Sequence, residues 1–148
     1  MPYLYRAVDG TGQTIDFLLS AKRDEKAARR FLRQALGRET TRHPREIVTD
    51  RLKSYPGAVR AMKQEGELWR FTRHRRGRWL TNLVEQDHRR IKRRTRPMLR
   101  FESFRTARRT LAGVEAMAML AKGQVRAVPG NHMPAQRAFV HRVFGVAA

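Results

Sequence analysis

The chain opens on alternation. YLYRAV (Tyr3 to Val8) mixes aromatic and β-branched positions, breaks at Asp9-Gly10 and Thr11-Gly12, and resumes as QTIDFLLS (Gln13 to Ser20). Two strand-like runs around a DG turn predict a β-hairpin. The period then lengthens. DEKAARRFLRQAL (Asp24 to Leu36) puts Ala27, Ala28, Phe31, Leu32, Ala35 and Leu36 on one face, begins with acids and is followed by Gly37, which predicts a helix. Beyond a polar stretch closed by Pro44, EIVTD (Glu46 to Asp50) predicts a short strand. Gly57 to Gln64 predicts a second helix, with Pro56 just before its start. ELWRF (Glu67 to Phe71) reads as another strand and RHRRGRW (Arg73 to Trp79) as an Arg-rich loop.

The remainder is helical in pattern. One helix is expected from about Leu83 to Arg94, broken by Pro97, and a longer one from about Ser103 to Lys122, rich in Ala, Leu and Met and ended by Gly123. After Pro129-Gly130 and Pro134 comes a short amphipathic segment, AFVHRVF (Ala138 to Phe144). The order ββ-α-β-α-(β)-α-α predicts an α/β domain with a hairpin at its start.

Composition narrows the partner. Of 148 residues 41% are hydrophobic, enough for one globular domain with a core. Against 13 Asp and Glu stand 33 Lys and Arg, a formal charge of +20 that a compact chain tolerates best beside a polyanion. Nucleic acid is the expected partner, since neutralised phosphates release counterions; charge alone does not choose DNA over RNA. The chain has no cysteine, which removes disulfides, thiolate zinc sites and cysteine nucleophiles. No apolar run is long enough to cross a bilayer and the first residues lack signal-peptide character, so no membrane role and a cytoplasmic location are expected.

In so basic a chain each carboxylate invites a question. Asp50 ends a predicted strand, where open α/β sheets often carry functional groups; as a turn aspartate it would instead bond its own following backbone. Glu85, in TNLVEQDHRRIKRR, stands three residues after Asn82, which fits a capping box and suits the helix dipole. Taken together the two acids read differently. Glu85 follows Asp50 after 34 intervening residues, and Arg89 and Lys92 share its helical face at i+4 and i+7. A carboxylate lined up with cations suits phosphodiester chemistry: oxygen ligands favour Mg²⁺, and Lys and Arg hold the strand.

Asp50 within VTDRLKSYPGA and Glu85 within NLVEQDHRRIKRRTRPMLRFESFRTARRTLAGVEAM resemble the second and third acids of a DDE transposase. The hairpin and first helix, YLYRAVDGTGQTIDFLLSAKRDEKAARRFLRQAL, are similar to the same family, the "six" family of bacterial insertion sequences in the retroviral integrase-like superfamily. The resemblance covers the chain through about Gln124. It implies a ribonuclease H-like α/β fold over residues 1–124, lacking its first strand and followed by C-terminal helices, with 125–148 as a tail. It further implies an Asp-Asp-Glu triad binding two Mg²⁺ ions, to which Asp50 and Glu85 would contribute as metal ligands and catalytic groups, with Lys92 contacting transposon-end DNA. The family's first acid lies upstream of the match to YLYRAVD, and neither Asp9, in the turn, nor Asp16, mid-strand, matches it. The expectation is therefore an N-terminally truncated transposase core, inactive alone in strand transfer.

The basic runs Arg73 to Arg78 and Arg89 to Arg96 surround Glu85 in sequence, and as phosphate contacts they would act through Arg75, Arg76, Arg78, Arg89, Arg90, Arg93 and Arg94; a solvated charged face is the alternative. Trp69 and Trp79 bracket the first run, and packing is expected of at least one, with stacking on an unpaired base as the other reading. His74 and His88 have no metal partners at recognisable spacing and are expected at the surface. Met117 and Met119 are expected in a core or an interface. A non-catalytic DNA-binding module that pairs with and inhibits an intact transposase, or forms a homo-oligomer, is a second reading. An RNA-binding protein of ribosomal type is a third, which leaves Asp50, Glu85 and Lys92 unexplained.

Overall fold

The computed structural model describes residues 3–37, 43–77, 82–95 and 103–146. Strand β1 (Tyr3–Val8) pairs antiparallel with β2 (Thr14–Ser20), Tyr3 opposite Ser20 and Arg6 opposite Phe17. The Asp9 carboxylate closes the turn: its Oδ1 accepts from the backbone N–H groups of Thr11 and Gln13, both at 2.9 Å, and from the Thr11 hydroxyl at 2.7 Å. Gly12 sits at φ +86, the left-handed region that a side chain would resist. The expected hairpin is present.

Helix α1 (Glu25–Leu36) starts where expected. Asp24 caps it, Oδ1 accepting from Ala27 N at 2.8 Å, and Ala27, Ala28, Phe31, Leu32 and Ala35 are buried. Short strand β3 (Glu46–Thr49) follows, with Asp50 immediately beyond it, and then α2 (Ser54–Gln64). This second helix begins three residues earlier than its expected start. Pro56 lies inside its first turn, where a missing N–H costs no intrahelical bond.

Two expectations are corrected next. Glu67–Phe71 is not a strand but a turn, in which Thr72 N donates to Trp69 O at 3.0 Å. The Arg-rich segment is not wholly a loop: Arg73–Arg76 forms β4, which pairs in parallel with β3, Glu46 opposite Arg73 and Thr49 opposite Arg76. Partner strand, not side-chain pattern, decides this element. The described strands thus form two two-stranded sheets, β1-β2 and β3-β4.

Both sheets border one core. Tyr5, Phe31, Leu32, Val59, Met62 and Leu68 are buried together, and Ile47 of β3 and Tyr55 of α2 pack against them. The Tyr5 ring lies 5.6 Å from Phe31 and edge-on to Tyr55 at 6.2 Å. Each large apolar side chain so buried contributes about 1.5–3 kcal/mol. Helix α3 (Asn82–Thr95) is longer than expected by a single residue at each end.

The chain forms two compact units, Met1–Arg90 and Ile91–Ala148. Within the second, α4 (Phe104–Ala121) is capped by Ser103, whose hydroxyl accepts from Thr106 N at 3.1 Å. Its buried positions are Ala107, Leu111, Glu115, Ala118 and Leu120. Glu115 rather than Met117 takes the inner face, and Met117 is 45% exposed, so it is not a core residue. Helix α5 (Met133–Phe144) is longer than the expected segment, because Pro134 stands in its first turn and opens it instead of preceding it. Between them the chain folds back so tightly that a Cβ on Gly123 (φ +73) would lie 2.6 Å from Gly130 N.

Candidate functional site

Asp50 projects from the C-terminal end of β3 with its side chain 49% exposed. Oδ1 accepts from Leu52 N at 3.0 Å, and Oδ2 lies 3.6 Å from an Arg23 nitrogen. The turn-aspartate geometry is therefore real, yet it uses one oxygen, leaves the other beside a half-exposed guanidinium, and keeps the carboxylate open to solvent. Behind it, the Thr49 hydroxyl contacts His74 Nε2 at 2.9 Å across the β3-β4 pair. His74 is thus not a free surface residue. Burial, with Arg76 and Lys63 nearby, pushes its pKa down and favours the neutral ring.

Glu85 occupies the first turn of α3 and is exposed. Arg89, Arg90, Lys92, Arg93 and Arg94 are exposed along the same helix, with Arg89 and Lys92 at i+4 and i+7 from the acid. What the sequence did not announce is how the helix is held. Asp87, two residues after Glu85, is buried, and its Oδ2 takes a 2.6 Å bond from Arg6 of β1, whose side chain is fully buried. A second Arg6 nitrogen reaches the Asp87 carbonyl at 3.4 Å. The only early signal was an arginine in the middle of an otherwise apolar strand.

The first basic run is partly engaged within the fold. Arg75 lies 3.2 Å from Glu46, and Arg76 donates to the Arg51 carbonyl at 3.3 Å; both remain exposed, as does Arg73. Arg78 and Trp79 lie outside the described residues.

As hard oxygen donors open to solvent, Asp50 and Glu85 fit a divalent ion such as Mg²⁺ in chemistry. They do not fit it in number: among the described residues no group of three or more His, Cys, Asp or Glu gathers as a metal site. Asp9 spends its Oδ1 on the hairpin turn, and Asp16 is buried with Oδ1 accepting from Phe17 N at 2.8 Å. Among the described residues, no helix is long and apolar enough to cross a membrane.

Comparison with known proteins gives this arrangement a family. Residues 1–124 match the family described as "DDE domain". Over 130 residues the chain is 34% identical to the transposase for insertion sequence-like element IS431mec of Staphylococcus aureus (strain Mu50), covering 85% of this chain and 54% of that protein. It is equally similar to the Staphylococcus aureus transposase for insertion sequence element IS257 in transposon Tn4003, at 34% over the same 85% and 54%. An uncharacterised protein of Yersinia pseudotuberculosis is 36% identical over 66 residues, 44% of this chain and 62% of its own. The chain spans about half the length of the staphylococcal relatives. No solved structure matches it. With 124 residues matched and transposases as relatives, the chain belongs to the DDE-domain family of insertion-sequence transposases.

Proposed function

We propose that this chain is part of a DDE transposase core, of ribonuclease H-like fold, that acts on transposon-end DNA. The observation that carries the reading is the pair of exposed carboxylates, Asp50 past the end of β3 and Glu85 on a helix face shared with Arg89 and Lys92. The fold assignment is supported by an antiparallel hairpin followed by helix-linked strands that pair in parallel.

In this reading Asp50 and Glu85 supply two of three carboxylates to a Mg²⁺ site. When bound, the metal would polarise a phosphoryl oxygen and help generate the attacking oxyanion. The chain's own work is positional. Lys92, Arg89, Arg90, Arg93 and Arg94 on α3, with Arg75, Arg76 and Arg78 of the first basic run, hold phosphates electrostatically and orient the strand toward the acids. The Arg6–Asp87 bond fixes the turn of α3 that presents Glu85. Two carboxylates alone hold a metal weakly, and cooperating catalytic groups fail together, so in this reading Asp50 and Glu85 act only alongside a third acid.

The test uses Mn²⁺ in place of Mg²⁺ and needs no turnover. Paramagnetic broadening of backbone amides should centre on Asp50 and Glu85 and disappear in Asp50→Asn and Glu85→Gln. Broadening centred elsewhere, or unchanged in both variants, refutes the assignment.

A second reading, a DNA-binding module that pairs with an intact transposase or with itself, draws on α5. Its Met133, Val143 and Phe144 are 72%, 61% and 74% exposed.

A further inference from the structure

The turn that replaces the expected strand at Glu67–Phe71 has an unusual division of labour. Its two flanks are locked into the protein. Leu68 is 2% exposed and belongs to the core, and Thr72 is 1% exposed, its hydroxyl donating to the Pro44 carbonyl at 2.8 Å. Glu67 is held by Arg29 at 2.7 Å and by Arg33, whose Nε reaches the other carboxylate oxygen at 2.7 Å. Between these anchors the turn displays Trp69, 46% exposed, and Phe71, 59% exposed. Their rings meet edge-to-face at 5.4 Å, and the Arg70 guanidinium lies over Phe71 at 4.6 Å from its centroid.

An exposed aromatic pair costs solubility, and here anchored backbone on both sides holds it out. The surroundings identify what would cover it. Arg70, Arg73, Arg75 and Arg76 accompany the rings, and no acid lies between Trp69 and Arg76. Arg75 is already paired with Glu46, whereas a protein partner would have to supply an acid for each of Arg70, Arg73 and Arg76; a nucleic acid brings phosphates and flat π faces together. Bases in an intact duplex have both faces stacked, so the face available to these rings belongs to an unpaired base.

We propose that Trp69, Arg70 and Phe71 form a stacking platform for an unpaired nucleobase, with the arginines of β4 holding the flanking phosphates. The proposal rests on DNA as the substrate of this core and is independent of the metal site. It assigns the turn to frayed or single-stranded DNA, as at a nicked end or a distorted target.

The experiment uses the full chain carrying Trp79→Phe, so that Trp69 is the reporting indole. It is titrated with a single-stranded dT 12-mer and with a blunt duplex at several salt concentrations. The dT strand should quench Trp69 fluorescence. Trp69→Ala and Phe71→Ala should each weaken dT binding on the order of 10-fold, as loss of a stacked base does. Duplex affinity should stay within about 2-fold and the salt slope should be unchanged, since phosphate contacts are kept. Phe71→Tyr should bind dT like the parent. Equal dT affinity in the alanine variants, or equal losses for dT and duplex, overturns the platform while leaving DNA binding intact. Failure to bind either DNA form overturns the platform together with the DNA reading. A change in sedimenting mass in Trp69→Ala with dT affinity unchanged overturns it in favour of a second copy of the chain.

Discussion

The bond between Arg6 and Asp87 joins the hairpin to α3, and its removal has a calculable cost. The Arg6 side chain is 0% exposed, the Asp87 side chain 8%, and their atoms approach to 2.6 Å. An ion pair at the surface is worth about 0–1 kcal/mol, because water and salt screen it. Taking one partner from a buried pair costs about 3–5 kcal/mol, since the remaining charge stays in a low-dielectric site. Asp87→Ala should therefore remove about 4 kcal/mol from a total stability of about 5–15 kcal/mol. With a urea slope of about 2 kcal/mol per M, the unfolding midpoint should fall by about 2 M, read by far-ultraviolet circular dichroism. The double variant Arg6→Met with Asp87→Leu should recover most of that loss, because two apolar side chains leave no charge behind. A midpoint for Asp87→Ala within about 0.5 M of the parent, the shift of a surface pair, would refute the burial argument.

Acid should act on two further groups. Hydrogen bonds from Arg33 and then Arg29 draw the Glu67 pKa down to about 2, so the unfolded chain takes up that proton first. Stability from Glu67 is present above the ordinary value of 4.5 and lost as pH falls toward about 2; melting temperature against pH should flatten over this range in Glu67→Gln. His74, lowered by burial, should cost stability as pH falls below its ordinary 6.5, an earlier step that His74→Gln removes. Gly123→Ala should be more destabilising than Gly145→Ala in thermal melts. Both glycines have positive φ, +73 and +63, costing about 1–2 kcal/mol for a side chain, but only at Gly123 would the new Cβ meet backbone, 2.6 Å from Gly130 N. Equal melting temperatures for the two variants would refute the close approach.

Much of the fold was legible because local chemistry dictated it. The Asp-Gly turn, the Asp24 and Ser103 caps, and the 3.6-residue spacing of Ala27, Phe31 and Ala35 each settle an element without reference to anything distant. β4 was illegible for the opposite reason. RHRR has no apolar position to show a period of two, and it is a strand only through its ladder with EIVT. ELWRF misled because a single buried Leu68 among aromatics looks like strand composition. At the candidate site, Asp50 and Glu85 stood out by spacing. The residues that position them did not, because Arg6 and Asp87 are 81 positions apart and Thr49 and His74 are 25 apart. Pairing at such separations is a product of the fold.

Strand β4 also bears on how the protein must be handled. A short strand at a sheet edge offers unpaired backbone to neighbouring molecules, and charged side chains along it are a common guard against aggregation. In β4 every position is Arg or His, and Arg73, Arg75 and Arg76 are all exposed. Mutual repulsion between these edges would keep free molecules apart, and a bound phosphate would neutralise the same guanidinium groups. Replacing them with alanine to map nucleic-acid contacts would thus also strip the guard, and the resulting precipitate would pass for lost binding. Lysine replacements keep the charge and discriminate the two effects.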